Sequence, residues 1–313
     1  MTASARADDF ETLRPHLLAV AYRLTGTFAD AEDAVQDAWL RWASASEPGR
    51  EPIADLRAWL TTVVSRLSLD RLRSAAHRRE SYVGQWLPEP VVTGIGAGAD
   101  PLAAVVAHED ARFAAMVVLE RLSPDQRVAF VLHDGFGVPF GEIADVLGTT
   151  PPAARQLASR ARRLVAESPP PQRDPSHDEV VGAMMAAMAA GDMAAVVALL
   201  HPDVTFTGDS NRRAPTAARV IVGPDKVARF LFGLADRYGP RFFVSNQLVL
   251  VNGDLGSYTS GVPAEDEYPE MAPHIVAMTV RDGRVCAVWD VANPDKFTAS
   301  PLRPTAPGMR HRN

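Results

Sequence analysis

The sequence predicts a multidomain chain, two all-α blocks followed by an α+β domain, and three observations carry that prediction. The run from Ser123, SPDQRVAFVLHDGFGVPFGEIADVLGTTPPAARQLASRARRLV, reads as a helix, a short helix, a tight turn and an arginine-studded helix, the layout of a helix-turn-helix DNA reader. From Asp9 to about Arg79 the apolar residues recur at helical spacing throughout. Beyond Leu200 the pattern changes to short β-branched runs, several of them separated by Asn-Gly and Asp-Gly pairs, which are hairpin signals.

Composition sets the outer bounds. A length of 313 residues suits two or three domains, and 47% hydrophobic with 22% charged residues is ordinary globular material. Nothing approaches the ~18 consecutive apolar residues of a membrane span, and the acidic start MTASARADDFETLRPH lacks an apolar signal core, so a cytoplasmic protein with no membrane contact is expected. A single cysteine, Cys286, excludes an internal disulfide framework and a multi-cysteine zinc site; in the apolar run RVCAVWD it reads as a buried core residue. Net charge is −6, but residues 1–56 hold five arginines against ten acids, while residues 57–79 hold six arginines against Asp70 alone. Local basic stripes on an acidic protein point to directed phosphate contacts.

Expected boundaries follow the composition shifts. The first helical domain spans 1–88 and a Gly/Pro-rich linker 89–105. The second helical domain spans 106–168, a stiff proline-rich linker 169–176, the α+β domain 177–298, and a tail expected to be disordered 299–313.

In DAEDAVQDAWLRW, Ala31, Ala34, Val35, Ala38 and Trp42 form a core stripe. Asp33, Gln36, Asp37 and Leu40 fall on another face, an acidic strip ending in an exposed leucine near Trp39; it reads as a solvated face or a partner-binding one. In DLRAWLTTVVSRLSLDRLRSAAHRRE, Leu56, Leu60, Val63 and Leu67 point inward. Arg66, Asp70, Arg73 and His77 share another line, extended by Arg78 and Arg79, that can follow a phosphate backbone. Trp59 fits either the core or stacking on unpaired bases.

Within the helix-turn-helix, Phe140, Ile143, Ala144 and Leu147 make the short amphipathic helix, and Gly148 supplies the freedom its turn needs. Thr149 or Thr150 is placed to cap the next helix, and Pro151 or Pro152 suits its first turn. That helix packs through Ala154, Leu157, Ala161 and Leu164 and presents Arg155, Gln156, Ser159, Arg160, Arg162 and Arg163.

The third block opens with a helix from His177 to Ala190, a Gly191-Asp192 break and a helix from Met193 to Leu200. The strand-like runs VTFTG, RFFVSNQLVLVNG, GSYTSGV, HIVAMTVRDG and RVCAVWDVA follow, and a curled antiparallel sheet is expected. Its candidate polar residues are His201, Asp203, Asp209, Tyr258, His274 and Asp290, with no convincing catalytic pair among them, so no catalytic residue is assigned. No metal site and no cofactor are expected.

These residues carry a resemblance. The first two blocks resemble regions two and four of an extracytoplasmic-function (ECF) sigma factor. The resemblance implies that Asp33, Gln36, Asp37 and Leu40 bind the polymerase clamp. It implies that Trp59, Arg66, Asp70, Arg73, Arg78 and Arg79 serve the −10 element, with Arg66 where many members carry asparagine. Arg155, Gln156, Ser159, Arg160 and Arg163 would serve the −35 element. YVGQWLPEP (82–90) and NPDK (293–296) are similar to motifs of the ECF subgroup with a SnoaL-like C-terminal extension, an NTF2-like cone around a pocket. That subgroup's Asp-Gly-Gly-Gly-Lys segment corresponds here to Asp209-Ser210-Asn211-Arg212-Arg213. The implied regulatory contact joins Trp86, Leu87, Pro88, Asp209, Arg213, Asn293, Pro294, Asp295 and Lys296. Implied partners are core RNA polymerase, through its β′ clamp and β subunit, and promoter DNA, with an unknown small ligand conceivable in the pocket. Two other readings compete. A ligand-responsive helix-turn-helix regulator acting without polymerase leaves the acidic helix and second basic stripe unused. A SnoaL-like enzyme fused to a DNA-binding anchor rests on fold analogy alone.

Overall fold

The computed structural model describes residues 3–45, 53–79, 82–96, 101–107, 111–265 and 267–299. The chain forms two compact units: Met1–Ser81 with Ala99–Pro170, and Tyr82–Gly98 with Pro171–Asn313. This redraws two expected boundaries. The first helical domain, given as 1–88, shares a unit with the second, given as 106–168, only as far as Ser81, and the stretch from Tyr82 through most of the 89–105 linker belongs to the other.

The first unit is helical: α1 (Ala3–Thr25), α2 (Phe28–Ala45), α3 (Leu56–Arg79), α4 (Pro101–Val105), α5 (Phe113–Leu119), α6 (Pro124–Phe130), a π-helical turn (Val131–Gly135), α7 (Phe140–Leu147) and α8 (Pro151–Glu167). Local chemistry sets the ends. The Asp55 carboxylate accepts the Ala58 N–H at the start of α3 (3.0 Å), and Ser123 with Gln126 closes a capping box on α6. Gly148 ends α7 in the left-handed conformation (φ 64°), and Thr150, of the two candidate threonines, caps α8 by accepting from Ala153 N–H. Buried residues on α7 are Ile143, Ala144 and Val146, with Phe140 and Leu147 half-buried. On α8 the buried stripe is Ala154, Ala158 and Ala161; the larger Leu157 and Leu164 sit at its margins.

The second unit has β1 (Val92–Thr93), α9 (His177–Ala189), α10 (Met193–Leu199), β2 (Leu200–Asp209), β3 (Ile221–Val222), α11 (Pro224–Tyr238), α12 (Arg241–Val244), β4 (Asn246–Val251), β5 (Asp254–Thr259), β6 (His274–Arg281) and β7 (Arg284–Val291). The sheet order is β1-β4-β5-β6-β7-β2-β3. It is mixed, not wholly antiparallel as expected, because β2 and β7 pair in parallel. Asn252-Gly253 and Asp282-Gly283, all at positive φ, form the tight turns β4–β5 and β6–β7 that their sequences signal.

Two segments differ from the sequence reading. RFFV, read as strand, is the one-turn helix α12: Pro240 starts it, and the Ser245 hydroxyl closes it on the Arg241 carbonyl (2.6 Å). PDKVARFLFGLADRY, given no element, is α11, whose Val227, Ala228, Leu231, Ala235 and Tyr238 are buried. Cys286 is a buried free thiol, as its apolar run implies, and burial pushes its pKa up. Ala299, assigned to the tail at 299–313, is instead buried and its carbonyl accepts from Val92 N–H (3.1 Å), while 300–313 lie outside the described residues.

Candidate functional site

On α2 the predicted stripe Ala31, Ala34, Val35, Ala38 and Trp42 is buried, which turns Asp33, Gln36 and Leu40 outward. Leu40 is 56% exposed, an isolated apolar side chain on an acidic face. Asp37 is half-buried because Arg71 of α3 holds its carboxylate at 2.7 Å. Trp39, read as part of the exposed face, instead packs edge-on against Phe10 (5.0 Å) and Trp42 (5.6 Å).

On α3, Leu60, Val63 and Leu67 are buried, Leu56 is half-buried, and Arg66, Asp70 and Arg73 line the exposed side. Trp59 is half-buried. Arg78 and Arg79 end the helix, with their side chains outside the described residues, as is that of His77. The basic stripe is engaged within its own unit. Arg66 donates to the Asp145 carbonyl of α7 (3.0 Å), and Arg73 pairs with Asp125 of α6 (2.8 Å).

Deeper in that junction lies a network the sequence reading missed. Arg127, 1% exposed, donates to the Arg23 carbonyl (2.8 Å) and pairs with Glu120 (2.7 Å). Gly26 ends α1 at φ 76°, and a Cβ there would lie 2.4 Å from Glu120 Oε1. The Arg23 guanidinium lies over the Phe136 ring (4.7 Å). His16 meets the same ring edge-on, with Thr61 on Nε2 (3.1 Å) and Arg57 on Nδ1 (3.2 Å). Burial first, then the charges of Arg57 and Arg23, push the His16 pKa down to about 4.

All six polar residues expected to face outward from α8, Arg155, Gln156, Ser159, Arg160, Arg162 and Arg163, are exposed. Arg162 pairs with Asp134 (2.8 Å) and Arg155 sits over the Phe140 ring (5.1 Å), so Gln156, Ser159, Arg160 and Arg163 form the rest of the face.

In the second unit the residues joined by resemblance meet around one buried carboxylate. Asp209, fully buried at the end of β2, accepts from the Leu87 N–H (2.7 Å), the Tyr82 hydroxyl and the Lys296 ammonium (2.6 Å). Burial, reinforced by Asp209, drives the Tyr82 phenol far above its ordinary pKa. Lys296, 3% exposed, also donates to the Leu87 carbonyl and lies 3.4 Å from the Trp86 ring centroid. Pro294–Lys296 forms a single 3-10 turn that Asn293 caps, and Asn293 also donates to Tyr82 (3.1 Å). Arg213 and Asp295 pair on the surface beside it (2.5 Å), and Pro88 is buried. Glu89, which the sequence reading left without a role, is buried and accepts from Thr298 N–H (2.9 Å) and Ala299 N–H (3.1 Å). Val92–Thr93 then joins the sheet edge beside β4. Among the described residues no group of three metal-ligating side chains occurs, and no helix is long and apolar enough to cross a membrane.

A helical unit that presents two separate basic helices fits the promoter-specificity subunits of bacterial RNA polymerase, and comparison with known proteins places the chain among them. Residues 10–78 match Sigma-70 region 2, residues 112–165 match Sigma-70 region 4, and residues 181–288 match the SnoaL-like domain. The chain belongs to the ECF RNA polymerase sigma factor family. It is 68% identical over 313 residues to ECF RNA polymerase sigma factor SigJ of Mycobacterium tuberculosis, covering 97% of this chain and 99% of that one. Probable ECF RNA polymerase sigma factor SigI of the same species is 32% identical over 302 residues, 93% of each chain. The crystal structure of M. tuberculosis SigJ matches at a TM-score of 0.83 and 67% identity, covering 95% of this chain and 100% of that chain. The protein is therefore a transcription initiation factor and not an enzyme, and membership of the family implies core RNA polymerase and promoter DNA as its partners.

Proposed function

We propose that Asp33, Gln36, Asp37 and Leu40 dock on the β′ clamp, and that the β subunit completes the polymerase contact in the cytoplasm. Arg155, Gln156, Ser159, Arg160 and Arg163 read −35 duplex DNA in the major groove. Trp59, Arg66, Asp70, Arg73, Arg78 and Arg79 serve the −10 element, where basic and stacking contacts stabilise the melted strand. Because Arg66 and Arg73 are engaged by Asp145 and Asp125, the two helical halves have to part before the −10 stripe reaches DNA.

The SnoaL-like domain acts in cis by holding the segment between the two halves. The observation that carries this reading is the capture of Tyr82, Trp86 and Leu87 by Asp209 and Lys296, which are 0% and 3% exposed. Run-off transcription with core polymerase tests both parts. Asp37→Arg with Leu40→Ala is expected to abolish core association, and truncation before Asn293 to change transcript yield. Wild-type core affinity in the folded double variant would remove α2 from the interface; unchanged yield in the truncation would remove the cis control.

A further inference from the structure

At the junction of the two helical halves, the hydrogen bonds of one histidine fix where its proton sits. Thr61 has a single hydroxyl proton and gives it to the Arg57 carbonyl (2.7 Å), so its oxygen accepts from His16 Nε2–H (3.1 Å). His16 Nδ1 carries no proton and accepts from the Arg57 guanidinium (3.2 Å), a group that only donates. The ring is neutral, with both nitrogens in use. Phe136 of the second half meets it edge-on (5.5 Å), and the same phenylalanine carries the Arg23 guanidinium on its face (4.7 Å).

A second proton has no place in this arrangement. It would go on Nδ1 and set an imidazolium N–H against the Arg57 guanidinium, donor to donor, with Arg23 adding positive charge from α1. The neighbouring acids do not offset this. Asp55 and Glu142 line the same groove, but Asp55 is bonded to the Ala58 N–H (3.0 Å), and among the described residues neither carboxylate hydrogen-bonds the ring. In the turn before Phe136, Asp134 pairs with Arg162 and His133 stacks on Phe140 (4.0 Å). Parting of the halves takes Phe136 away, returns the imidazole to water and lets the exposed Arg57 turn aside.

We propose that parting of the two helical halves takes up one proton on His16, so that mild acid favours the open form that engages polymerase. The inference rests on the reading that the halves have to part, and adds what eases that step. In the closed form burial, then the charges of Arg57 and Arg23, hold the His16 pKa at about 4, and an imidazole returned to water moves toward 6.5. Closure is therefore at full strength above pH 6.5 and weakens as the pH falls toward 4. For one proton, going from pH 7.5 to pH 6.0 multiplies the open-to-closed ratio by up to about fourfold.

The test follows opening directly. Full-length protein with Ser74→Cys on α3 and Glu167→Cys on α8 carries a donor and an acceptor dye, both positions being exposed and Cys286 buried. Energy transfer is read while core polymerase is added at pH 7.5 and at pH 6.0, and co-elution on gel filtration reports binding separately. His16→Gln in the same background keeps both hydrogen bonds, since its amide donates to Thr61 and accepts from Arg57, but it does not titrate. The core concentration that half-opens the protein with His16 is expected to fall about fourfold at pH 6.0 relative to that for His16→Gln, a ratio from which the polymerase's own titration cancels. An equal ratio at the two pH values would overturn the role of His16 and leave the parting intact. Core that co-elutes without loss of energy transfer would overturn the parting, and the proposal with it.

Discussion

At the scale of single residues, the loop after β2 shows how a backbone requirement outlives the residue type that usually meets it. Where the subgroup's motif carries glycines, Asn211 and Arg212 adopt φ values of 47° and 59°. Asparagine tolerates this region and gains from it, since its side-chain oxygen accepts the Val83 N–H (3.2 Å). Arg212 is exposed and gains nothing comparable, while a left-handed conformation costs a non-glycine residue roughly 1–2 kcal/mol. Arg212→Gly should therefore raise stability by about 0.5–1 kcal/mol after the entropy glycine adds to the unfolded chain. Asn211→Gly should gain less, because it loses the Val83 bond; paired urea midpoints decide. His16 supplies a pH dependence. Its folded pKa of about 4 lies below the ordinary histidine value of 6.5, so the unfolded chain binds the proton more tightly between these values. Its stabilising contribution is complete above pH 6.5 and is lost as the pH falls toward 4. The acid loss of helical ellipticity under urea between pH 7 and 5 should be smaller in His16→Gln; equal losses would place the acid sensitivity elsewhere.

At the scale of elements, legibility follows how local the determining physics is. The α7–α8 turn was readable because Gly148, Thr150 and Pro151 each act within a few residues. The outward face of α8 was equally readable. Alanine at Arg155 or Arg160 should cost roughly 1–3 kcal/mol of promoter affinity if the side chain meets a base, or lower the salt slope if it meets phosphate. Unchanged affinity and salt dependence in both variants would move −35 recognition to another surface. By contrast, α11 was hidden because Phe230 and Phe232, packed on the core outside its buried stripe, blur the helical period. RFFV misled for a related reason: aromatic and β-branched residues favour strands, but Gly239-Pro240 starts a helical turn whose phenylalanines line a cavity of the second unit. The Arg127–Glu120–Arg23 network was invisible, since its members gain meaning only from pairing across 104 residues. Likewise, the linker motif was legible only by resemblance; the chain from 82 to 96 gives no local sign that it will join a sheet edge.

At the scale of the whole molecule, control depends on which ion pairs can hold a segment in place. Arg213–Asp295 is 51% and 62% exposed, and a pair in that setting contributes about 0–1 kcal/mol. Lys296–Asp209 is 3% and 0% exposed, and breaking one partner of a buried pair costs about 3–5 kcal/mol because the remaining charge stays desolvated. The buried pair must therefore dominate retention of the 82–96 segment, although both pairs belong to motifs the subgroup resemblance singles out. Lys296→Met keeps the length of the side chain and removes its charge. It should speed hydrogen exchange at the Leu87 amide, which donates to the same Asp209 carboxylate, and change run-off yield with core polymerase. Asp295→Asn should leave both measurements at wild-type values. Faster Leu87 exchange with unchanged yield would separate the latch from transcription. Equal effects from the two substitutions would mean that the surface turn, and not the buried ammonium, retains the linker.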